Sequence, residues 1–553
     1  MNAPQRSEAD IAPIFTLSTA SDGAHASAAG PQQLGFKAYN LGRMAGMGLP
    51  VPPAFVLSTD FCRDPQLRQR AGDPALWRPA LRALEAASGL RFGGPCAPLL
   101  LSVRSGAAVS MPGMMETLLN VGLNEQTVQG LIRLTGNPRL AWDAYRRLIA
   151  SYGELVAGLP AALFEDLLQE LLAEQVEPCQ ERELDFRGLR SLCRRYQAAY
   201  AREVGEPFPQ QPEQQLARAI EVVLRSWDSA RARHYRQAHG IDEGGGTAVT
   251  VQSMVFGNAG PSSGAGVGFT RNPATGEPGM WLDFLFNAQG EDVVSGRRSA
   301  HGDAVLQQVL PAIWTQLQAS SAALEREFGD MQDFEFTVQQ GRLYLLQTRS
   351  GKRSATAAVR IALDLLREGL IDAPTALARC AGIEAAQLRS PYLRALPGQP
   401  LQILGRAASA SPGVAVGEIA LDAERAWARC AAGAPVVLLR RDADTGDVAA
   451  LEHAQGLLTM QGARTSHAAV VARQMGKVCL VGCAGLQIDE SARLVRFADA
   501  SPATPPLREG DLITLDGHEG VVYAGALDLD WRCPDDLLQA LRALRQAQPP
   551  SAG

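Results

Sequence analysis

Of the seven histidines in this 553-residue chain, one stands where its imidazole could do chemistry. His467 follows an apolar run, GLLTM, and a small-residue turn, QGARTS, and opens the stretch AAVVARQMG, which reads as a helix. Thr465 or Ser466 supplies a helix N-cap. A side chain at that position lies over unpaired backbone amides and the positive end of the helix dipole, surroundings that stabilise an attached phosphoryl group. Imidazole is a competent nucleophile near neutral pH because much of it is uncharged. The competing reading is a capping-region histidine without chemistry, and spacing alone leaves both open. His453 and His518 lie in the same part of the chain with nothing comparable around them.

A second constellation lies in DFEFTVQQGRLYLLQTR. Strand alternation places Phe334, Phe336 and Val338 on one face and Asp333, Glu335 and Thr337 on the other. A three-residue hairpin loop, Gln339-Gln340-Gly341, would pair Asp333 with Gln347 and bring Asp333, Glu335, Gln347 and Arg349 to one face. A two-residue loop would turn Gln347 and Arg349 away, so the functional reading predicts the longer loop. Two carboxylates suit magnesium, which takes one or two carboxylates plus phosphate oxygens. An adjacent guanidinium can neutralise charge on a transferred phosphoryl group. The alternative is a hairpin with an ordinary wet face. Lys37, in a Gly-flanked loop ahead of a helix, and Arg104, at the end of PLLLSVRS, are equally ambiguous between phosphate ligands and surface cations. The loop SGAAVSMPGMMET that follows Arg104 carries Gly106 and Gly113, which would let backbone amides approach phosphate.

These residues need several domains to position them, and the length suits two to four. Residues 1–30, rich in Ala, Ser and Gly, read as a mobile leader. A mixed α+β domain follows over 31–355, with a largely helical region at 125–240. In its last helix Leu216, Ile220, Val223, Leu224 and Trp227 form one apolar stripe. The strand TAVTVQSMVF leads into a Gly- and Ser-rich loop, GNAGPSSGAGVG. A helix and a Pro-rich linker occupy 356–405. Short strands and helices alternate over 406–526, and 527–553 is a tail with one amphipathic helix. The net charge of −6 offers no general attraction to nucleic acid. No apolar run approaches the roughly 18 residues of a membrane span, and residues 1–15 lack a secretory signal pattern. The nine cysteines are scattered, unlike a disulfide framework. Cytoplasm is the expected compartment. Cys479 and Cys483 read as part of a packed strand and turn rather than a metal or redox pair.

The long motifs together carry a resemblance. LGFKAYNLGRMAGMGLPVPPAF, SVRSGAAVSMPGMMETLLNVGLN, GVGFTRNPATGE, FNAQGEDVVSG, DFEFT, LYLLQTRSGKR, ASPGVAVG and TSHAAVVARQMGK run in order over about residues 34–525. The chain thereby resembles the pyruvate, phosphate dikinase and phosphoenolpyruvate synthase family. The resemblance implies an ATP-grasp nucleotide-binding domain with a helical insertion, followed by a swivelling β/α phosphohistidine domain. It implies ATP and Mg2+ bound by Lys37, Arg104, Asp333, Glu335, Gln347 and Arg349. Asp333 and Glu335 would hold the metal, Arg104 and Arg349 would assist the chemistry, and His467 would be phosphorylated with release of AMP. Thr465 matches a regulatory phosphorylation site of some dikinases, beside its plainer reading as an N-cap.

Three departures qualify what the resemblance implies. Full-length relatives continue into a barrel that binds pyruvate or phosphoenolpyruvate and needs roughly 200 residues or more. The expectation is therefore no C-terminal barrel here, and an acceptor held on a separate barrel protein. Pro261 and Ser262 stand where acidic residues are usual, and Ala108 stands where a second arginine is usual. Arg464 looks more like the synthase. These changes leave phosphate and water open as the second-step acceptor. A different small-molecule acceptor and a non-catalytic nucleotide-sensing remnant are the rival functions, and a homodimer is compatible with all of them.

Overall fold

The computed structural model describes residues 14–17, 29–109, 111, 114–175, 179–294, 302–394, 401–442, 447–501 and 504–546. The chain forms two compact units, Met1–Ala259 with Tyr344–Gln347, and Gly260–Leu343 with Thr348–Gly553.

The first unit is built on a five-stranded sheet ordered Ile14–Leu17, Ala54–Leu57, Thr247–Ser253, Leu101–Ala107, Thr117–Val121. All its described pairings are antiparallel. Ile14–Leu17 thus corrects the expectation of a mobile leader for those four residues, which pair with Ala54–Leu57. The Arg104 strand runs on to Ala107 rather than ending at the arginine. Among the described residues the helical region carries six α-helices and one short 3-10 helix between Thr127 and Ala238. On Pro212–Ser226 the apolar stripe Leu216, Ile220, Val223 and Leu224 is buried, as is Trp227 at its C-cap. These join Phe55, Trp77, Val103, Tyr145 and Tyr196 in one core. Burying such a stripe is what makes a helix of this length stable.

In the second unit a four-stranded sheet is ordered Arg342–Ser350, Gln332–Gln339, Gly264–Arg271, Pro278–Phe286. The segment read as a Gly-rich loop is therefore a buried strand from Gly264 onward. A Cβ on Gly264, Gly266 or Gly268 would run into the rings of Phe284, Phe336 or Phe334. Those glycines make room for aromatic packing.

An eight-stranded sheet follows. Its centre, Val414–Ala420, Val436–Arg440, Gly456–Thr459 and Val478–Val481, is parallel. The crossover helices Ala423–Ala431, Val448–His453 and His467–Gln474 supply the βαβ connections that parallel strands need. Cys479 and Cys483 are buried in this domain, and burial pushes their thiols up to about 12 and about 11.

The segments flanking this domain are more ordered than a linker and a tail suggest. Residues 356–394 carry the helices Ala355–Arg367 and Ala373–Arg379 and the strand Ser390–Leu393. That strand pairs antiparallel with Leu529–Arg532, and the terminal helix Asp535–Gln546 buries Leu537, Leu541 and Leu544 against Val359, Leu363 and Cys380. Pro397 and Pro400 lie outside the described residues. Among the described residues no helix is long and apolar enough to cross a membrane.

Candidate active site

In the first unit Lys37 lies inside the helix Pro31–Gly46, not in a loop before it. That helix is kinked at Gly35, whose φ of 71° and ψ of 156° suit glycine alone. The kink brings the helix against the Arg104 strand so closely that a Cβ at Gly35 would overlap the Gly106 carbonyl. A Cβ at Gly106 would stand 3.9 Å from that of Lys37. The lysine and the strand bearing Arg104 are thus brought together by two glycines. Arg104 pairs across the sheet with Thr250 and Thr117. Gly35→Ala is expected to cost roughly 2 to 4 kcal/mol, from the strained backbone and the clash together. A denaturant titration would read it, and an unchanged midpoint would show that the helix can move aside. Ser110, Pro112 and Gly113 of the loop after Arg104 lie outside the described residues.

In the second unit the hairpin corrects the expected loop. Strands end at Gln339 and resume at Arg342. The two turn residues Gln340 and Gly341 both have positive φ, 49° and 73°, as a two-residue type I′ turn requires. That register alone would place Asp333 opposite Thr348 and turn Arg349 to the other face. Yet Arg349 Nε donates to Asp333 Oδ2 at 2.8 Å, and Gly351 N donates to Met331 O at 2.9 Å. Arg349 thus reaches the acidic face of the neighbouring strand through its side chain. Within the first unit, Leu345 N donates to Pro50 O. Gln347 is buried.

Asp333 is buried, and burial raises its carboxyl above the usual range although Arg349 pulls the other way. Glu335, two residues on, adds its repulsion. Such a pair is stabilised by a cation. Among the described residues no group of three or more His, Cys, Asp or Glu side chains is arranged to hold a metal by itself. The two carboxylates Asp333 and Glu335 are of the kind that suits magnesium, which takes one or two carboxylates beside phosphate oxygens. Ser262 O and Ser263 Oγ hold the hairpin tip, accepting from Gly341 N at 3.0 Å and Gln340 N at 2.9 Å. Pro261 and Ser262 thus belong to a loop pinned to the acidic hairpin.

His467 is the first residue of the helix His467–Gln474, and Ser466 is the N-cap, without a side-chain cap bond. Ala468, Ala469 and Ala472 seat the helix on its sheet, while His467 is exposed. Partial desolvation, then the charge of Arg349, hold its imidazole below the ordinary range. The neutral, nucleophilic form is favoured, and the histidine lies within electrostatic reach of the Arg349 strand.

The loop before His467 is held by residues that the sequence reading did not single out. Asp283 accepts from Arg464 Nε at 3.0 Å and Thr465 N at 2.9 Å. Arg464 Nη2 donates to Leu282 O. Arg473, buried, donates from Nε to Ala410 O and from Nη2 to Arg464 O. Burial pulls its pKa down to about 10. Thr465 is buried, and its Oγ1 makes no hydrogen bond. The single acidic residue inside the apolar run MWLDFLF was the signal in sequence that could have marked Asp283.

A carboxylate–arginine pair thus lies within electrostatic reach of a helix-opening histidine, on a domain bracketed by a paired ribbon. Residues 78–313 and 303–369 match the family model "Pyruvate phosphate dikinase, AMP/ATP-binding domain", and residues 433–520 match "PEP-utilising enzyme, mobile domain". The first match covers more than half of the chain, which belongs to the pyruvate phosphate dikinase AMP/ATP-binding family. Similar curated proteins are pyruvate, phosphate dikinase of Clostridium symbiosum, 42% identical over 90% of this chain and 56% of that protein. The Rhizobium meliloti enzyme of the same name is 42% identical over 92% of this chain and 57% of its own length. The chloroplastic enzyme of Flaveria pringlei is 42% identical over 89% and 51%. The chain spans about half the length of the curated relatives it matches.

Proposed function

We propose that this chain uses Mg-ATP to phosphorylate His467, with release of AMP, and passes the phosphoryl group to an acceptor. The observation that carries this reading is the position of His467, at a helix N-terminus and under the charge of Arg349, which is itself bonded to Asp333. Lys37, Arg104 and Gln347 bind nucleotide phosphates. Asp333 and Glu335 hold magnesium, which when bound neutralises phosphate charge. Arg349 steadies the charge of the phosphoryl group in transit. The neutral Nε2 or Nδ1 of His467 attacks the β-phosphorus of ATP and needs no base to deprotonate it first. The bond from that phosphorus to the oxygen of AMP breaks and AMP leaves. In a second step phosphate or water takes the terminal phosphoryl group from the pyrophosphorylated histidine, which leaves phosphohistidine.

Incubation with ATP labelled at the β-phosphate and magnesium tests this. Wild type is expected to hold acid-labile label and His467→Ala none. Equal labelling of the two would end the proposal.

Pyruvate, named in the relatives, is the acceptor we assign, and a pull-down searched for a pyruvate-binding barrel protein decides whether it is held on a separate chain. Cytoplasm is the compartment we assign, and sedimentation would distinguish a monomer from a homodimer. Ala108, Pro261 and Arg464 favour water over inorganic phosphate as acceptor in the second step. Their expected result is release of the terminal phosphate of ATP as inorganic phosphate, with no pyrophosphate formed when phosphate is added. Thr465 is buried beside Asp283, which favours its structural role over modification.

A further inference from the structure

Trp281 takes no part in the chemistry described above, yet it lies between the site's two buried supports. It sits on the strand Pro278–Phe286, two residues from Asp283, and pairs across the sheet with Phe269. The Arg464 guanidinium stands 4.3 Å from the Trp281 ring centroid, and that of Arg473 stands 5.1 Å from the same ring and 5.7 Å from Phe269. Both arginines come from the segment that presents His467: Arg464 from the loop before it, Arg473 from the helix it opens. Arg473 also ties these two pieces together through Arg464 O. Its Nη1 is buried without a hydrogen-bond partner, so the aromatic faces are what this part of the guanidinium meets. A desolvated guanidinium over an indole is the strong form of the cation–π contact. The contacts are made only while the histidine's helix rests on this strand.

We propose that Trp281 is a positioning residue for histidine phosphorylation: its indole, read by Arg464 and Arg473 together, fixes the loop and helix that present His467 beside the Arg349 strand. Asp283 supplies charge to that contact and Trp281 supplies its geometry, because a ring face orients a planar guanidinium as a point charge does not. The inference rests on the proposed phosphorylation of His467 for its consequence, but the contact itself can be tested without it.

Trp281→Ala and Trp281→Phe separate the possibilities, with two reagents. Phosphoramidate phosphorylates exposed imidazole directly: its P–N bond breaks, a new P–N bond forms to the histidine and ammonia leaves, with no docking required. Trp281→Ala is expected to slow ATP-dependent labelling of His467 about 10- to 100-fold at saturating ATP, to leave the ATP concentration at half-rate within about twofold, and to leave phosphoramidate labelling unchanged. Trp281→Phe, which keeps a ring face, is expected to recover most of the rate. Hydrogen exchange supplies the readout that needs no chemistry. The Thr465 amide, bonded to Asp283, is expected to exchange about tenfold faster in Trp281→Ala, in line with a lost docking contact. Unchanged exchange at Thr465 would overturn the proposal. So would equal slowing with both reagents, since that marks damage to the histidine's own domain. Absence of ATP labelling in wild type would defeat the functional reading, and the exchange result would still decide the role of Trp281.

Discussion

Replacing Arg349 by alanine is expected to lower the rate of ATP-dependent His467 phosphorylation by about a hundred- to a thousandfold, the loss seen when one preorganised charge donor is removed from a site. Three consequences follow from the same guanidinium. It bonds Asp333 at 2.8 Å, it opposes the upward shift of that buried carboxyl, and its charge helps to hold the His467 imidazole below its ordinary range. The sign of the pH effect is then fixed. Neutral imidazole is the nucleophile, so wild type keeps its labelling rate to a lower pH than an unperturbed histidine would. Removal of Arg349 lets the histidine's pKa rise, and the acid limb of the rate profile moves to higher pH. The Asp333 carboxyl rises further as well, so magnesium binding weakens first at the acid end. Arg349→Lys retains a charge but not the planar fork. It is expected to leave the acid limb near its wild-type position while recovering only part of the rate. Single-turnover labelling across pH 5 to 9 would measure both quantities. An acid limb unmoved in Arg349→Ala would mean that desolvation alone, the larger cause, sets the imidazole pKa.

Gly266→Val is expected to destabilise the second unit by about 3 kcal/mol, the upper range of the penalty for overfilling a packed interior. Gly266 lies in the middle of the strand Gly264–Arg271, opposite Phe336 on one side and Phe284 on the other. Any Cβ there meets the Phe336 ring, and the Asp283 carbonyl oxygen lies 2.8 Å away. The same sheet carries Asp333 and Glu335 on one strand and Trp281 and Asp283 on another, so the damage reaches the site through its scaffold. Phe336→Leu placed in the Gly266→Ala background is expected to restore part of the loss, because the two changes share one volume. Urea melts of the wild type, the two single variants and the double variant would measure the coupling. Strictly additive effects would show that the glycine is required for some reason other than the ring.

The outcome at Gly266 also marks where sequence reading stops. GNAGPSSGAGVG has the composition of a loop, and glycine is disfavoured in strands when only propensity is weighed. What reverses that preference is the presence of Phe284, Phe334 and Phe336 on neighbouring strands, rings distant in sequence that fill the space the missing side chains leave. The hairpin gives the same lesson. The alternation of DFEFTV assigned Asp333 and Glu335 to the face opposite Phe334 and Phe336, but no periodicity could announce that a two-residue turn would still leave Arg349 bonded to Asp333.

By itself the sequence determined the ordered motifs of the family, the helix opened by His467, the amphipathic stripe of Pro212–Ser226 and the acidic strand. Each is encoded by residues close together in the chain, where turn chemistry, capping and periodicity act. Only the tertiary structure decided that Lys37 sits in a helix kinked against Gly106, that a strand and helix bracket the histidine domain on either side, and that Asp283, Trp281 and Arg473 hold the loop before His467. Those contacts join segments up to about two hundred residues apart, and their energy comes from burying opposite charge and aromatic surface together. Such pairings exist only once the chain has folded, so no local pattern records them.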